Sequence, residues 1–267
     1  TTSVNLSHNE NQVVHLGAGD ATIYIPSSFD IPHSVLQVGE PMYAYHLVKQ
    51  VGILTQADID NKVALFGTQT VGDPKYFDAN GDGKIDANDR VYAGKPNPDL
   101  VYGMTNTFKY KGFDLTVLVQ GQSGGYVYSL FGRAVDRTGQ GYTDNALGIY
   151  RDRWRSVDNP GDGLRGKAYS TFGRIKNTDW LWSSDYWRVR NITLGYDLGQ
   201  VISKKYVKGA RIYFTAENWF GADKYKCGWN PDAVNTNLSG DNSFPQGGDY
   251  GGLPLSRSLI LGLNLTF

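Results

Sequence analysis

The chain has 267 residues, and its 26 Lys+Arg balance its 26 Asp+Glu, so no global field points to nucleic acid. Hydrophobic residues make up 40%, mean hydropathy is −0.40, and no run approaches the roughly 18 apolar residues of a membrane-spanning helix. A helical membrane protein is thereby excluded; a β-barrel, whose strands are only half apolar, is not.

Gly at 33, Tyr at 18, Phe at 11 and Trp at 6 suit an all-β chain with aromatic girdles, or a sugar-binding surface. The single cysteine, Cys227, permits no internal disulfide. The opening TTSVNLSHNENQ is polar and strand-like rather than a signal peptide, so an exported protein would be represented here by a mature form or a fragment.

In chain order, Thr2–Leu16 alternates loosely, and Ala21–Ile25 is a short β-prone run bounded by Asp20 and Pro26. Pro41–Ile53 sets Tyr43, Tyr45 and Leu47 against Met42, Ala44, His46 and Val48, which predicts one strand. Gln56–Phe66 carries Ile59, Val63 and Phe66 at helical spacing behind an acidic start, predicting a short helix. Val101–Tyr110 and Phe113–Gln120 flank Lys111-Gly112 and predict a hairpin.

Tyr186–Leu198 changes phase, from Trp187 and Val189 to Ile192, Leu194 and Tyr196, which predicts a bulge near Arg190-Asn191. A turn with Lys204, Lys205 and Lys208 leads to the strand Ala210–Glu217. The last stretch, Ser256–Phe267, alternates without a break: Leu259, Leu261, Leu263, Leu265 and Phe267 face one way, and Ser258, Ile260, Gly262, Asn264 and Thr266 the other. By itself it fits a lipid-facing strand or a half-buried strand of a soluble sandwich equally well.

Connections add to that pattern. They are short at 111–112 and 199–209, and long at about 54–100, 121–185 and 218–255. Such alternation belongs to a membrane barrel, with short turns on one side and long loops on the other. It would put the C-terminus on the short-turn side.

One motif has metal-ligand spacing. Asp78, Asn80, Asp82 and Asp86 supply oxygens at positions 1, 3, 5 and 9, Lys84 offers a backbone carbonyl at 7, and Asp89 closes at 12. The set predicts an isolated Ca²⁺ loop without paired EF-hand helices; the alternative is an Asx-rich turn with no ion. Gly121–Gly125 fits G-x-S-x-G, but all four histidines precede Ser123, so it reads as a glycine-rich strand end. No H-E-x-x-H spacing supports zinc. No catalytic set emerges, and an enzyme is not expected.

These residues, in their order, resemble part of a SusC/RagA-type TonB-dependent outer-membrane transporter. The matching stretches include Val38-Gly-Glu-Pro41, Gly72–Gly83 with Asp89-Arg90, Gly94-Lys-Pro-Asn-Pro-Asp99, Tyr110–Leu115, and Asp152-Arg-Trp154. Tyr186–Tyr196, Glu217-Asn218, Gly228-Trp-Asn-Pro231, Asp249-Tyr-Gly251 and Leu261–Phe267 complete them. Two stretches depart from the family pattern: Trp229-Asn230 stands where Tyr-Asp is usual, and Leu253–Arg257 replaces a proline-rich approach to the last strand.

The resemblance implies an antiparallel transmembrane β-barrel of 22 strands with a plugged lumen, of which residues 1–267 would be the C-terminal portion. It implies import of oligosaccharides or peptides driven by TonB, under a SusD-like surface lipoprotein that acts as a lid. Outer-membrane lipid would cover the outside, and the C-terminus would lie on the periplasmic side. The plug domain and TonB box would belong to the remaining part of the same transporter and are absent from this chain. Strands of about ten residues would number roughly eight here, too few to close a ring. The runner-up is a calcium-stabilised extracellular carbohydrate-binding or adhesion module.

Overall fold

The computed structural model describes residues 1–25, 33–135, 148–200, 207–232 and 248–267. Its strands are β1 (Thr2–His8), β2 (Ile23–Ile25), β3 (Ser34–Leu36), β4 (Ala44–Val48), β5 (Gln50–Ile53), β6 (Pro74–Tyr76) and β7 (Arg90–Gly94). They continue with β8 (Leu100–Tyr110), β9 (Phe113–Ser123), β10 (Tyr126–Ser129), β11 (Leu181–Ser183), β12 (Tyr186–Asp197), β13 (Gly209–Asp223), β14 (Gly248–Asp249) and β15 (Ser258–Thr266). Two short helices accompany them, α1 (Gln56–Asp60) and α2 (Leu130–Val135).

Six strands form one antiparallel sheet in the order β1-β8-β9-β12-β13-β15. Its register puts every apolar stripe on the same side. Leu261 pairs with Phe214, Phe214 with Leu194, Leu194 with Leu115, and Leu115 with Phe108. Along β1, Val4 pairs with Met104 and Leu6 with Tyr102. Side chains alternate with a period of two, so one register slip would carry a whole stripe to the other face.

This apolar face has nothing packed on it: Leu261 is 74% exposed, Leu6 69% and Phe108 60%. Leaving such side chains in water forfeits about 1.5–3 kcal/mol each, and a face this wide is far beyond the patches that monomeric soluble domains expose. Hydrocarbon is the solvent that suits it. Aromatic rings border the stripe at both ends. Tyr110, Phe113 and Tyr196 lie at one end, the last two with centroids 4.4 Å apart, and Trp187 and Phe220 at the other. The opposite, inner face carries Ser3, Asn5, Thr105, Thr116, Thr193, Arg211, Thr215 and Asn264.

The β8–β9 hairpin turns through Lys111 (φ 45°) and Gly112 (φ 86°), the left-handed pair that a two-residue type I′ turn needs. The bulge expected near Arg190-Asn191 is present. Pairing of β12 shifts between Val189 and Asn191 against both neighbours, and Asn218 on β13 takes φ 56° opposite it. Because of this extra residue, Trp187 and Val189 share the apolar face with Ile192 and Leu194 despite the odd-to-even change.

Several sequence expectations need correction. Among the described residues, the long connections carry strands of their own. The strands β2-β3-β4-β7, β11-β10-β14 and β5-β6 build a cap at the end of the wall where those connections emerge. Its core joins Tyr45, Leu47, Val127, Tyr128, Leu130, Trp180, Tyr225 and Cys227, and a second cluster joins Val48, Tyr76 and Ile85.

The run 41–53 is two strands, β4 and β5, belonging to different cap sheets; β4 is buried on both faces, Tyr45 and Leu47 on one and Ala44 and Val48 on the other, which is why the pattern there lacks polar contrast. The helix expected to 66 stops at Asp60, since Lys62 adopts φ 54° and ends it; its start is held by a capping box between Thr55 and Asp58. Strand β1 is shorter than expected, β13 runs to Asp223 rather than 217, and β15 spans Ser258–Thr266. The wall has six strands rather than about eight among the described residues. Lys204 and Lys205 lie outside the described residues.

The two faces make a direct prediction. In the full-length protein refolded into vesicles, Leu261→Arg should cost about 2–4 kcal/mol of folding free energy by urea titration. Asn264→Asp, three residues along on the inner face, should cost far less, and equal costs would contradict the assignment of faces.

Candidate functional site

The inner face is organised by charge held close to the backbone. Arg211 of β13 reaches across β12 to Asp114 of β9, Nε to Oδ1 at 2.9 Å and Nη2 to Oδ2 at 2.5 Å. A bidentate pair of this kind fixes orientation as well as charge. It passes directly over Gly195, where a Cβ would run into both the guanidinium and the carboxylate. Thr193 and Thr215 share a hydroxyl bond of 2.8 Å one step further along the wall.

Above the bulge the inner face carries a second network, which the sequence reading missed. Arg188 is nearly buried and lies 3.6 Å from Asp223 and 3.8 Å from Asp232, and it donates to Asn230 at 3.2 Å. Arg190 contacts the same Asp232 at 3.3 Å and Asn218 at 3.5 Å. Burial raises the Asp232 carboxyl above its ordinary range, an effect that the hydrogen bond from Tyr186 and the two guanidinia only partly offset. The available signal was two arginines spaced i, i+2 just ahead of the phase change, which puts both on one side.

The family-like motifs also meet one another in the cap. The Trp154 ring packs against Gly72, at φ 88°, in space that a Cβ would fill. Lys95 pairs with Asp99 where the chain enters β8. Asp249, fully buried, accepts from the Tyr225 hydroxyl at 2.7 Å and from the Gly252 N–H at 2.8 Å. Burial, with the Asp249 charge beside it, pushes the Tyr225 phenol far above its usual range. The Trp154–Gly72 contact ties one long connection to another, and the other bonds each hold a single connection in shape.

The six expected calcium ligands, Asp78, Asn80, Asp82, Lys84, Asp86 and Asp89, sit on one closed loop beside the second cap cluster. Asp78 accepts from Gly81 and Gly83 at 2.7 and 2.9 Å, Asn80 from Asp82 at 3.0 Å, and Asp82 from Lys84 at 3.1 Å. Asp89 is buried and holds the loop shut, accepting from Ala79 at 2.9 Å and Asp86 at 2.7 Å.

The Lys84 ammonium lies 2.9 Å from Asp86. The Asn88 N–H and that lysine together lower the Asp86 carboxyl. Among the described residues no three carboxylate, imidazole or thiol groups converge closely enough to hold a metal in this arrangement. The oxygens are therefore at hand but turned to the backbone. The glycine-rich Gly121–Gly125 is a strand end, as read from the sequence, with Ser123 paired to Leu100.

Known proteins match this arrangement over its whole length. A TonB-dependent receptor of Formosa agariphila, P26, is 30% identical over 264 residues, covering 98% of this chain and 26% of that protein. SusC of Bacteroides thetaiotaomicron, a TonB-dependent receptor, is 26% identical over 276 residues, covering 99% of this chain and 24% of SusC. The RagAB peptide importer in its open-open state superposes with a TM-score of 0.75 at 19% identity, covering 100% of this chain and 26% of that one. No family model matches the chain.

The chain thus spans about a quarter of the length of the relatives it matches. Wall, cap and likeness together define part of the antiparallel barrel of a TonB-dependent receptor. Within that class it is similar to SusC in sequence and to the RagAB importer in fold.

Two outcomes are expected. Gly195→Ala should break the Arg211–Asp114 crossing and lower the unfolding midpoint of the full-length protein; Thr193→Ala, on the same strand and face, should lower it less. Burial, helped by Arg90 and Lys176, lowers the His33 imidazole from 6.5 to about 3. Between those values the unfolded chain takes up a proton that the folded cap refuses, so this contribution is whole above pH 6.5 and lost progressively toward pH 3. Cap resistance to limited proteolysis should fall over that window, and His33→Gln should flatten the dependence.

Proposed function

We propose that this chain is wall and outer cap of an outer-membrane importer that takes up oligosaccharides or peptides with energy delivered through TonB. The observation that carries the reading is the wall: six strands with one continuous apolar face and one polar face, matched along their full length by TonB-dependent receptors. The polar face then lines the lumen, and the aromatic rings at both ends mark the two membrane interfaces. The cap stands outside the cell, the short turns and the C-terminus face the periplasm, and a SusD-like surface lipoprotein covers the cap as a lid. An adhesion module in water would have no cover for the apolar face.

Uptake of labelled oligosaccharides and peptides by cells with and without the full-length receptor tests this directly. Uptake should vanish when the receptor is deleted, when TonB is deleted, or when the proton gradient is collapsed. Receptor-dependent uptake that survives loss of TonB would refute the reading.

The Asp78–Asp89 loop is proposed as a Ca²⁺ site that pins the part of the cap meeting the lid. Its support is the spacing of oxygen donors around a loop already closed by Asp89 and anchored by the Ile85 N–H on the Leu65 carbonyl at 3.0 Å. Ca²⁺ would compete with the Lys84 ammonium for Asp82 and Asp86. Calorimetric titration of the full-length protein should show one Ca²⁺ bound at millimolar concentration or below, lost in a variant carrying Asp78→Ala and Asp82→Ala. That variant should also hold the lid lipoprotein less tightly in a pull-down. No heat with Ca²⁺, or unchanged lid binding, would remove the respective part of the proposal.

A further inference from the structure

Above the bulge, Trp229 and the stretch leading into β15 line the same hollow. Trp229 and the segment ending in Leu255 and Arg257 close it from one side, and Arg188, Trp219 and Asp223 from the other. Its volume is about 200 Å³, smaller than a site for a whole drug-sized ligand and suited to one ring of a longer chain. The alternation of β13 puts Trp219 on the face of Gly221, and a Cβ at Gly221 would meet Arg188, so the hollow opens on the inner, polar side.

Its chemistry is specific. The Trp219 indole N–H donates to the Ser258 carbonyl at 3.0 Å, which fixes the ring plane while 41% of the residue stays open. Trp229 is tilted against Phe131 with centroids 4.8 Å apart and is 52% exposed. The Arg257 guanidinium stands 5.7 Å from the Trp219 centroid and has no carboxylate partner among the described residues. Arg188, by contrast, is already balanced by Asp223 and Asp232. Among the described residues, what the hollow offers is one forked cation without a carboxylate partner, standing over one part of a held indole whose remainder is open.

We infer that this hollow binds one ring of an acidic sugar, its CH face on Trp219 and its carboxylate on Arg257. Held indoles provide a large apolar contact that loses little side-chain freedom on binding. A guanidinium binds a carboxylate through two parallel bonds. This rests on the importer reading and narrows its substrate class to uronate-containing oligosaccharides.

The test is calorimetry on the full-length receptor in detergent, with trigalacturonate, maltotriose and trialanine as probes. Trigalacturonate should bind at least ten-fold more tightly than the other two. Arg257→Gln and Trp219→Ala should each weaken it ten-fold or more, Arg257→Gln should reduce the salt dependence, and Trp219→Phe should keep most of the affinity. Unfolding midpoints like that of the parent would show that the variants are intact.

No binding of trigalacturonate, equal binding of maltotriose, preference for trialanine, or indifference to both substitutions would each overturn the sugar site. Uptake in cells reads the importer separately: TonB-dependent uptake of peptides without trigalacturonate binding would remove this inference and leave that reading standing.

Discussion

The wall depends on one constraint: in hydrocarbon every backbone N–H and C=O must find a partner within the protein while one face of each strand stays apolar. Cross-strand register is what satisfies both conditions at once. Leu261, Phe214, Leu194, Leu115 and Phe108 lie in a row across five strands because each ladder is in step with the next. The polar face follows as the complement of that row. Arg211, Asp114, Thr193 and Thr215 are free to pair there because lipid never meets them.

The cap answers a different demand. Connections this long between wall strands would be costly to order unless they buried apolar surface of their own. They do so by sharing: Tyr45 and Leu47 come from before β8, Val127 and Leu130 from between β9 and β12, and Tyr225 and Cys227 from after β13. No single connection holds enough apolar residues for a core. The Trp154–Gly72 contact between two connections is a consequence of that pooling.

How much of this was legible in the sequence follows from range. β9, β12 and β15 could be read because their period of two is set locally, and the Arg190 bulge because it shifts that period within one strand. The cap could not be read: Ser34–Leu36, Tyr126–Ser129 and Leu181–Ser183 are too short to show a period, and the last two pair with each other across more than fifty residues. The Arg188–Asp232 network was hidden for the same reason, being formed by residues 42 and more positions apart or on neighbouring strands. The calcium ligands were visible as spacing, whereas the turning of their oxygens to the loop backbone is a matter of three-dimensional detail. The six-strand count differs from the sequence estimate because residues 33–54 go to the cap.

The paired irregularity at Arg190 and Asn218 resets the frame in which inside and outside are counted. Below it, odd-numbered residues of β12 face the lumen; above it, even-numbered ones do. A single insertion or deletion in β12 is therefore not equivalent along its length. On the Trp187 side the error could be absorbed by shifting the bulge, with the cap left to adjust. On the Leu194 side it would turn the row from Asn191 to Tyr196 inside out, placing Thr193 in lipid and Leu194 in water. The irregular step thus acts as an expansion joint between a wall that tolerates no change of length and a mouth that can be rebuilt.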